Sequence, residues 1–177
     1  AKGARLAISL GDPAGIGAEV VLKALAGWPQ NQPPPLLVGC RRWLEASFQQ
    51  LRSRSSEPLC DPAELNILDL ALEQPIQAGV AGAGSGDASF HWLTAAVQQV
   101  QQGHCSALVT APIAKHAWHA AGHRYPGQTE RLAELSGVAE ASMLFTARSQ
   151  RSGWRLNTLL ATTHIPLAAV PTALSPE

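Results

Sequence analysis

His164 ends an apolar run, NTLLATT, and stands two residues before Pro166. A neutral imidazole at a strand end can ligate a metal, and Pro166 keeps the following backbone from pairing. By spacing alone, a lone histidine after an apolar run more often serves the fold than a metal. A second set of candidates lies in LVTAPIAKHAWHAAGHRYPGQTE, residues 108–130. An apolar strand ends there at Thr110, Pro112 and Lys115 follow, and a loop presents Gln128 and Thr129 at a helix start. Strand ends and helix N-termini are where open α/β sheets bind ligands. A lysine, an amide and a hydroxyl in such a place suit a phosphorylated metabolite. Thr129 could equally cap its own helix and still leave Gln128 free.

Three other groupings carry less. GDPAGIGAE (11–19) places Gly11, Gly15 and Gly17 at a strand-to-helix turn, whose free N–H groups suit an anion. Its order is GxxxGxG, neither the dinucleotide fingerprint nor a Walker loop, so alone it reads as a structural turn. His116, His119 and His123 form HxxHxxxH, but Gly122 should end the helix before His123, and no glutamate stands where a general base would be needed. These histidines read as surface or capping residues. Cys105 beside His104 has no activating partner in sequence.

The elements that must position these residues follow from periodicity. Residues 6–10 (LAISL), 33–39 (PPPLLVG), 65–70 (LNILDL) and 106–110 (SALVT) are apolar runs of strand length. Between them lie a helical stretch over 18–26, closed by Gly27 and Pro29, and another over 41–51 with Leu44, Phe48 and Leu51 on one face. Residues 52–62 read as a polar surface loop. The glycine-rich 78–87 also reads as loop, with Asp87 as N-cap of a helix that Gly103 stops. A short helix over 113–122 and another from Thr129 to Gly137 come next. SMLFTA and WRLNTLLATT, joined by RSQRSG, have hairpin character. Strands alternating with helices predict an α/β fold with a mostly parallel sheet flanked by helices. No linker or internal repeat divides residues 1–177.

Composition narrows the function classes. Hydrophobic residues make up 46% and charged residues 15%, a globular balance. Thirteen basic and thirteen acidic residues cancel, which argues against nucleic-acid binding through bulk electrostatics. Cys40, Cys60 and Cys105 form no CxxC pair, so neither a disulfide framework nor a structural zinc site is expected. No stretch approaches the length of a spanning helix, and the expectation is a cytoplasmic protein without a membrane partner.

Four segments, ISLGDPAGIGAEVVLKAL, LVTAPIAKHAW, YPGQTERLAEL and ATTHIPL, occur in order and at fitting spacings. Together they resemble the 4-hydroxythreonine-4-phosphate dehydrogenase (PdxA) family of pyridoxine and pyridoxal phosphate biosynthesis, from about Leu6 to the last residue. The resemblance implies a fold like that of isocitrate and isopropylmalate dehydrogenases, a homodimer with the active site at its interface, and NAD or NADP as cofactor. It implies oxidation of the secondary alcohol of 4-phosphooxy-L-threonine, followed by decarboxylation to 3-amino-2-oxopropyl phosphate. It also implies a divalent cation (Zn, Mg or Co) held by three histidines, which eases alcohol deprotonation and stabilises the enolate.

Carried over by motif, His164 matches the first metal-binding histidine, and Gln128 and Thr129 match two adjacent substrate-binding positions. The commoner family pattern there is Gly-His-Thr-Glu, where this chain has Gly127-Gln128-Thr129-Glu130. Lys115 falls in a recurrent motif without an assigned step. Family members run to roughly twice this length, so the expectation is an N-terminal portion, incomplete at the C-terminus and inactive alone. Ser175-Pro176-Glu177 then reads as the start of a helix that the chain does not continue. A non-catalytic phosphometabolite-binding module and a phosphate acyltransferase-like enzyme on a related scaffold are the competing readings.

Overall fold

Four short strands form a parallel sheet in the order β3-β2-β1-β4, built from β1 (Leu6–Ser9), β2 (Leu36–Gly39), β3 (Asn66–Asp69) and β4 (Ala107–Thr110). They belong to a computed structural model that describes residues 5–139, 141–162 and 165–174. Ile8 pairs with Leu37 on one side and Val109 on the other, which places β1 inside the sheet. Successive residues Ala7, Ile8 and Ser9 are all buried, so β1 is covered on both faces, as a parallel sheet requires.

Helices supply those covers. The apolar stripe Val21, Leu22 and Leu25 of α1 (Gly17–Ala26) and Leu44 and Phe48 of α2 (Arg41–Arg52) enter the main core with Leu37 and Val38. The chain moves outward from β1 to β3. The long helix α3 (Ala83–Gln101) then carries it back across β2 and β1 to β4. The two short helices α4 (Lys115–Ala120) and α5 (Gln128–Leu135) follow.

The start of α3 corrects the sequence reading. Asp87 is not its N-cap: the helix begins one turn earlier at Ala83, and Ser85 Oγ accepts from the N–H of Gly82 at 3.1 Å. Glycines of low helix propensity suggest a loop, yet here they let two helices touch. A Cβ on Gly86 would lie 2.0 Å from the carbonyl oxygen of Ala117 in α4. Packing therefore overrides propensity.

Trp118 of α4 exploits that approach. It is fully buried, its Nε1–H donates to Ser89 Oγ at 2.8 Å, and the edge of Phe90 meets it at 5.3 Å between centroids. Its polar handle is thus satisfied inside the apolar satellite core of Phe90, Leu93 and Trp118.

The hairpin reading holds. β5 (Leu144–Arg148) and β6 (Arg155–Leu159) pair antiparallel, with Thr146 opposite Asn157. Unlike the main sheet, the hairpin is exposed on both faces, with Phe145 at 56% and nearby Trp154 at 63%. A 3₁₀ turn at Leu167–Ala169 and the short helix α6 (Val170–Ala173) follow it. The helix start expected at Ser175-Pro176-Glu177 lies outside the described residues, as does His164.

Trp118→Ala should lower unfolding stability by about 3–5 kcal/mol, since it empties a buried indole site and removes the donor that Ser89 Oγ accepts from. A urea midpoint indistinguishable from the wild type would contradict this account of the α3–α4 contact.

Candidate active site

β1 is the point where the strand order reverses, with β2 on one side and β4 on the other. In doubly wound sheets a crevice opens there, outside the carboxyl ends of the strands. The two loops that border it are locked to one another. The N–H of Ala111 donates to Ser9 O at 3.0 Å, and that of Asp12 to Pro112 O at 2.9 Å. Gly11 makes this possible: its φ is +70°, and a Cβ there would fall 2.3 Å from Pro112 O. The glycine turn is thus accounted for by backbone packing, as its spacing suggests.

Asp12 is buried in that turn, only 3% exposed. Its Oδ1 accepts from the N–H of Ala14 at 2.8 Å, while among the described residues its Oδ2 has no partner.

Beyond Pro112 opens a cleft of about 630 Å³, within the usual range for a small-molecule site. One wall is formed by Pro112, Ile113 and Lys115, another by Gly127, Gln128 and Thr129 at the start of α5. The remaining side comes from the base of the hairpin, including Met143, Leu160 and Thr162. The structure therefore brings Gln128, Thr129 and Lys115 into one cavity. Thr162, the last described residue before Thr163 and His164, lines the same cavity.

The first turn of α5 is open to a ligand. Its cap is Gly127, in extended conformation and without a side chain to bind the leading N–H groups. Thr129 stands inside the helix and does not cap it. The Lys115 side chain runs along Gly127: a Cβ built there would meet Lys115 Nζ at 3.5 Å and Glu130 Oε2 at 3.4 Å. An ammonium held beside the positive end of a helix favours an anion between them.

Gln128 Nε2 donates to the carbonyl of Ala111 at 3.4 Å, and its enclosed Oε1 has no partner among the described residues. The amide is oriented by β4's own exit loop and leaves an acceptor unused.

Aromatic and charged ties hold α5 in place. Arg131 Nη1 donates to Glu134 at 2.9 Å, Nη2 donates to Thr94 of α3 at 3.2 Å, and the guanidinium lies 4.6 Å from the centre of the Phe90 ring. The Tyr125 hydroxyl donates to the same Glu134 carboxylate. This bond, and then Arg131, hold the Glu134 carboxyl below its ordinary value, while the bond to Glu134 holds the Tyr125 phenol above its own.

The HxxHxxxH histidines do not converge. His116 is exposed, and His119 bonds through Nε2 to the Tyr125 carbonyl at 3.0 Å. After the turn at Gly122, His123 stacks on Phe90 at 3.7 Å and joins Asp87 and His91 instead. His123 is therefore a packed residue, where sequence suggested a surface or capping one. All three cysteines are free. Cys105 is buried in the core, and burial, followed by Glu64 and Asp61, pushes the Cys60 thiol up.

Comparison with known proteins places this geometry in context. Residues 31–177 match the family described as pyridoxal phosphate biosynthetic protein PdxA. A 4-hydroxythreonine-4-phosphate dehydrogenase from Synechococcus sp. (strain RCC307) is 66% identical over 173 residues, covering 98% of this chain and 52% of that protein. A D-threonate 4-phosphate dehydrogenase from Pectobacterium atrosepticum is 33% identical over 174 residues, covering 92% of this chain and 51% of that protein. The solved structure of a 4-hydroxythreonine-4-phosphate dehydrogenase from Burkholderia phymatum aligns with a TM-score of 0.79 at 34% identity, covering 98% of this chain and 54% of that one. The chain thus spans about half the length of the curated relatives it matches.

The Tyr125–Glu134–Arg131 tie has a definite pH signature. A carboxyl depressed on folding stabilises fully above its ordinary range and loses that contribution as pH falls through the lowered value. A phenol raised on folding stabilises below its ordinary value and loses that contribution as pH rises through the raised value. Glu134→Gln should therefore melt below the wild type at neutral pH. The gap should shrink in acid, below the ordinary glutamate range. A gap independent of pH in thermal melts would refute the assignment.

Proposed function

Because the chain belongs to the family of the pyridoxal phosphate biosynthetic protein PdxA, we propose that it provides one part of the active site of a cytoplasmic 4-hydroxythreonine-4-phosphate dehydrogenase. The reaction is oxidation of 4-phosphooxy-L-threonine with NAD or NADP, followed by loss of carbon dioxide to give 3-amino-2-oxopropyl phosphate. The observation that carries this reading is the cleft at the β1–β4 switch point, where Gln128, Thr129 and Lys115 meet the uncapped start of α5.

The substrate's phosphate suits the leading N–H groups of α5, with the Lys115 ammonium beside them. Gln128 has a different part. With its Nε2 turned to Ala111, it offers Oε1 as an acceptor, which suits a substrate hydroxyl or ammonium rather than a phosphate oxygen. Thr129 offers a hydroxyl able to donate or accept. Two recognition elements of opposite polarity then fix the substrate's direction in the cleft.

His164 is the chain's proposed ligand to the divalent cation, which when bound supplies Lewis acidity toward the reacting hydroxyl. One imidazole alone is too small a donor set for a zinc-class ion. The remaining ligands, and the residues that hold the nicotinamide cofactor, are proposed to come from polypeptide equivalent to the unmatched half of the relatives. Residues 1–177 act as one portion without an internal boundary. The exposed apolar hairpin β5–β6 supports a homodimer with the site near its interface. Among the described residues no helix is long and apolar enough to cross a membrane.

Complementation tests the reading. Co-expression of this chain with the unmatched half of the Synechococcus RCC307 relative should restore reduction of NAD(P)+ to NAD(P)H by 4-phosphooxy-L-threonine in the presence of a divalent metal. His164→Ala should abolish it. Gln128→Ala should weaken 4-phosphooxy-L-threonine binding about tenfold. Turnover by this chain alone would sink the shared-site proposal. Turnover of D-threonate 4-phosphate alone would replace the substrate.

A further inference from the structure

Away from the cleft, three side chains that the dehydrogenase reading does not use come together. Asp87 and His91 lie four residues apart on one face of α3, and His123 arrives from the turn after α4. One ligand atom from each residue lies within 4.8 Å of the others. His123 Nε2 stands 2.7 Å from Asp87 Oδ1, and His91 Nδ1 stands 3.3 Å from Asp87 Oδ2.

These separations are close to what a coordinated ion needs. Donors about 2.1 Å from a tetrahedral centre lie about 3.4 Å from one another. Reaching that spacing takes an opening of the His123–Asp87 contact by some tenths of an ångström and small side-chain adjustments within the 4.8 Å group. The ring of His123 is already aimed, because it stacks on Phe90 with an interplanar angle of 4°. Its side chain is 20% exposed, while that of His91 is 63% exposed, so the group is fixed on one side and reachable on the other. Asp87 and His91 also line a cleft of about 450 Å³, with room for water to complete a coordination shell.

We propose that Asp87, His91 and His123 bind one borderline divalent ion of the Zn²⁺ class. Two neutral imidazoles and one carboxylate suit such an ion better than a hard, all-oxygen cation such as Ca²⁺. Binding takes the place of the protons on His123 Nε2 and His91 Nδ1, which pass to the other nitrogen of each neutral ring, and displaces the contact of His91 Nδ1 with the Asp87 carbonyl, now 2.9 Å. The ion would clamp α3 to the segment that leads through Tyr125 to Gly127, and so steady the start of α5. The proposal is independent of the assigned substrate and of His164.

The test is calorimetric titration with Zn²⁺ alone, paired with thermal melts. It uses the His164→Ala protein, with and without His91→Ala or Asp87→Asn. The His164→Ala parent should bind one equivalent and melt at higher temperature with Zn²⁺. Each added substitution should weaken binding at least about tenfold and remove the shift. His91 is exposed and Asp87→Asn keeps its shape, so zinc-free melts should stay close to the parent. Absence of Zn²⁺ binding in the parent, or equal binding in both variants, would overturn the proposal.

Discussion

At the carboxyl ends of β1 and β4 two loops touch backbone to backbone, with no side chain between them. Gly11 passes so near Pro112 that even a methyl group has no room, and the adjacent Asp12 N–H donates to the Pro112 carbonyl. This contact sets where β4's exit loop lies relative to β1, and therefore the shape of the crevice the sheet leaves open. From Pro112 the chain enters α4, whose Trp118 is anchored on α3. The path from α4 to α5 is held in turn by His119, His123 and Tyr125. The position of Gln128 and Thr129 thus depends on a series of contacts that begins with a missing Cβ.

Much of this architecture was legible in the sequence because the central strands β1 and β2 are buried on both faces. Continuous apolar runs of strand length, separated by helical periodicity, leave few alternatives to a parallel α/β sheet. The start of α3 was not legible. AGAGSGD has the composition of a loop, and only the close approach of α4 at Gly86 shows why glycine belongs inside that helix. Such information is non-local: Ala117 lies far along the chain from the glycine it meets. The exposure of β5 and β6 was hidden for a related reason. Their alternation and turn residues specify a hairpin but not what covers it.

Site residues divide along the same line. Gln128, Thr129 and Lys115 are local to one stretch, and the β4–α4–α5 connection brings them to one cavity as the motif suggested. Asp87 and His91 form an i, i+4 pair once Asp87 lies inside the helix, but the sequence places Asp87 at a cap, and their third partner comes from another element. The HxxHxxxH pattern is interrupted where the sequence reading expects it, at Gly122. In the fold, a positive-φ turn there separates His123 from His116 and His119. Spacing measures proximity only while the helix continues.

Gln128 shows how a substitution within a motif can be read from its surroundings. A histidine at this position would have two ring nitrogens, able between them to donate, accept or carry a proton. The amide divides its roles differently. Ala111 O, just past the end of β4, takes a donor from Nε2, and the opposite face of the side chain is then an acceptor without a charge. An acceptor at that point favours a substrate O–H or N–H, while the anion is left to the α5 N-terminus and Lys115. The amide cannot take a proton released during oxidation as an imidazole could. Under the proposed function the proton would have to leave by another group, and Gln128 would serve as a positioning contact to the substrate rather than as an acid or base. The backbone carbonyl that orients the amide belongs to Ala111, next to Pro112, so the polarity of the site traces back to the same loop contact that shapes the crevice.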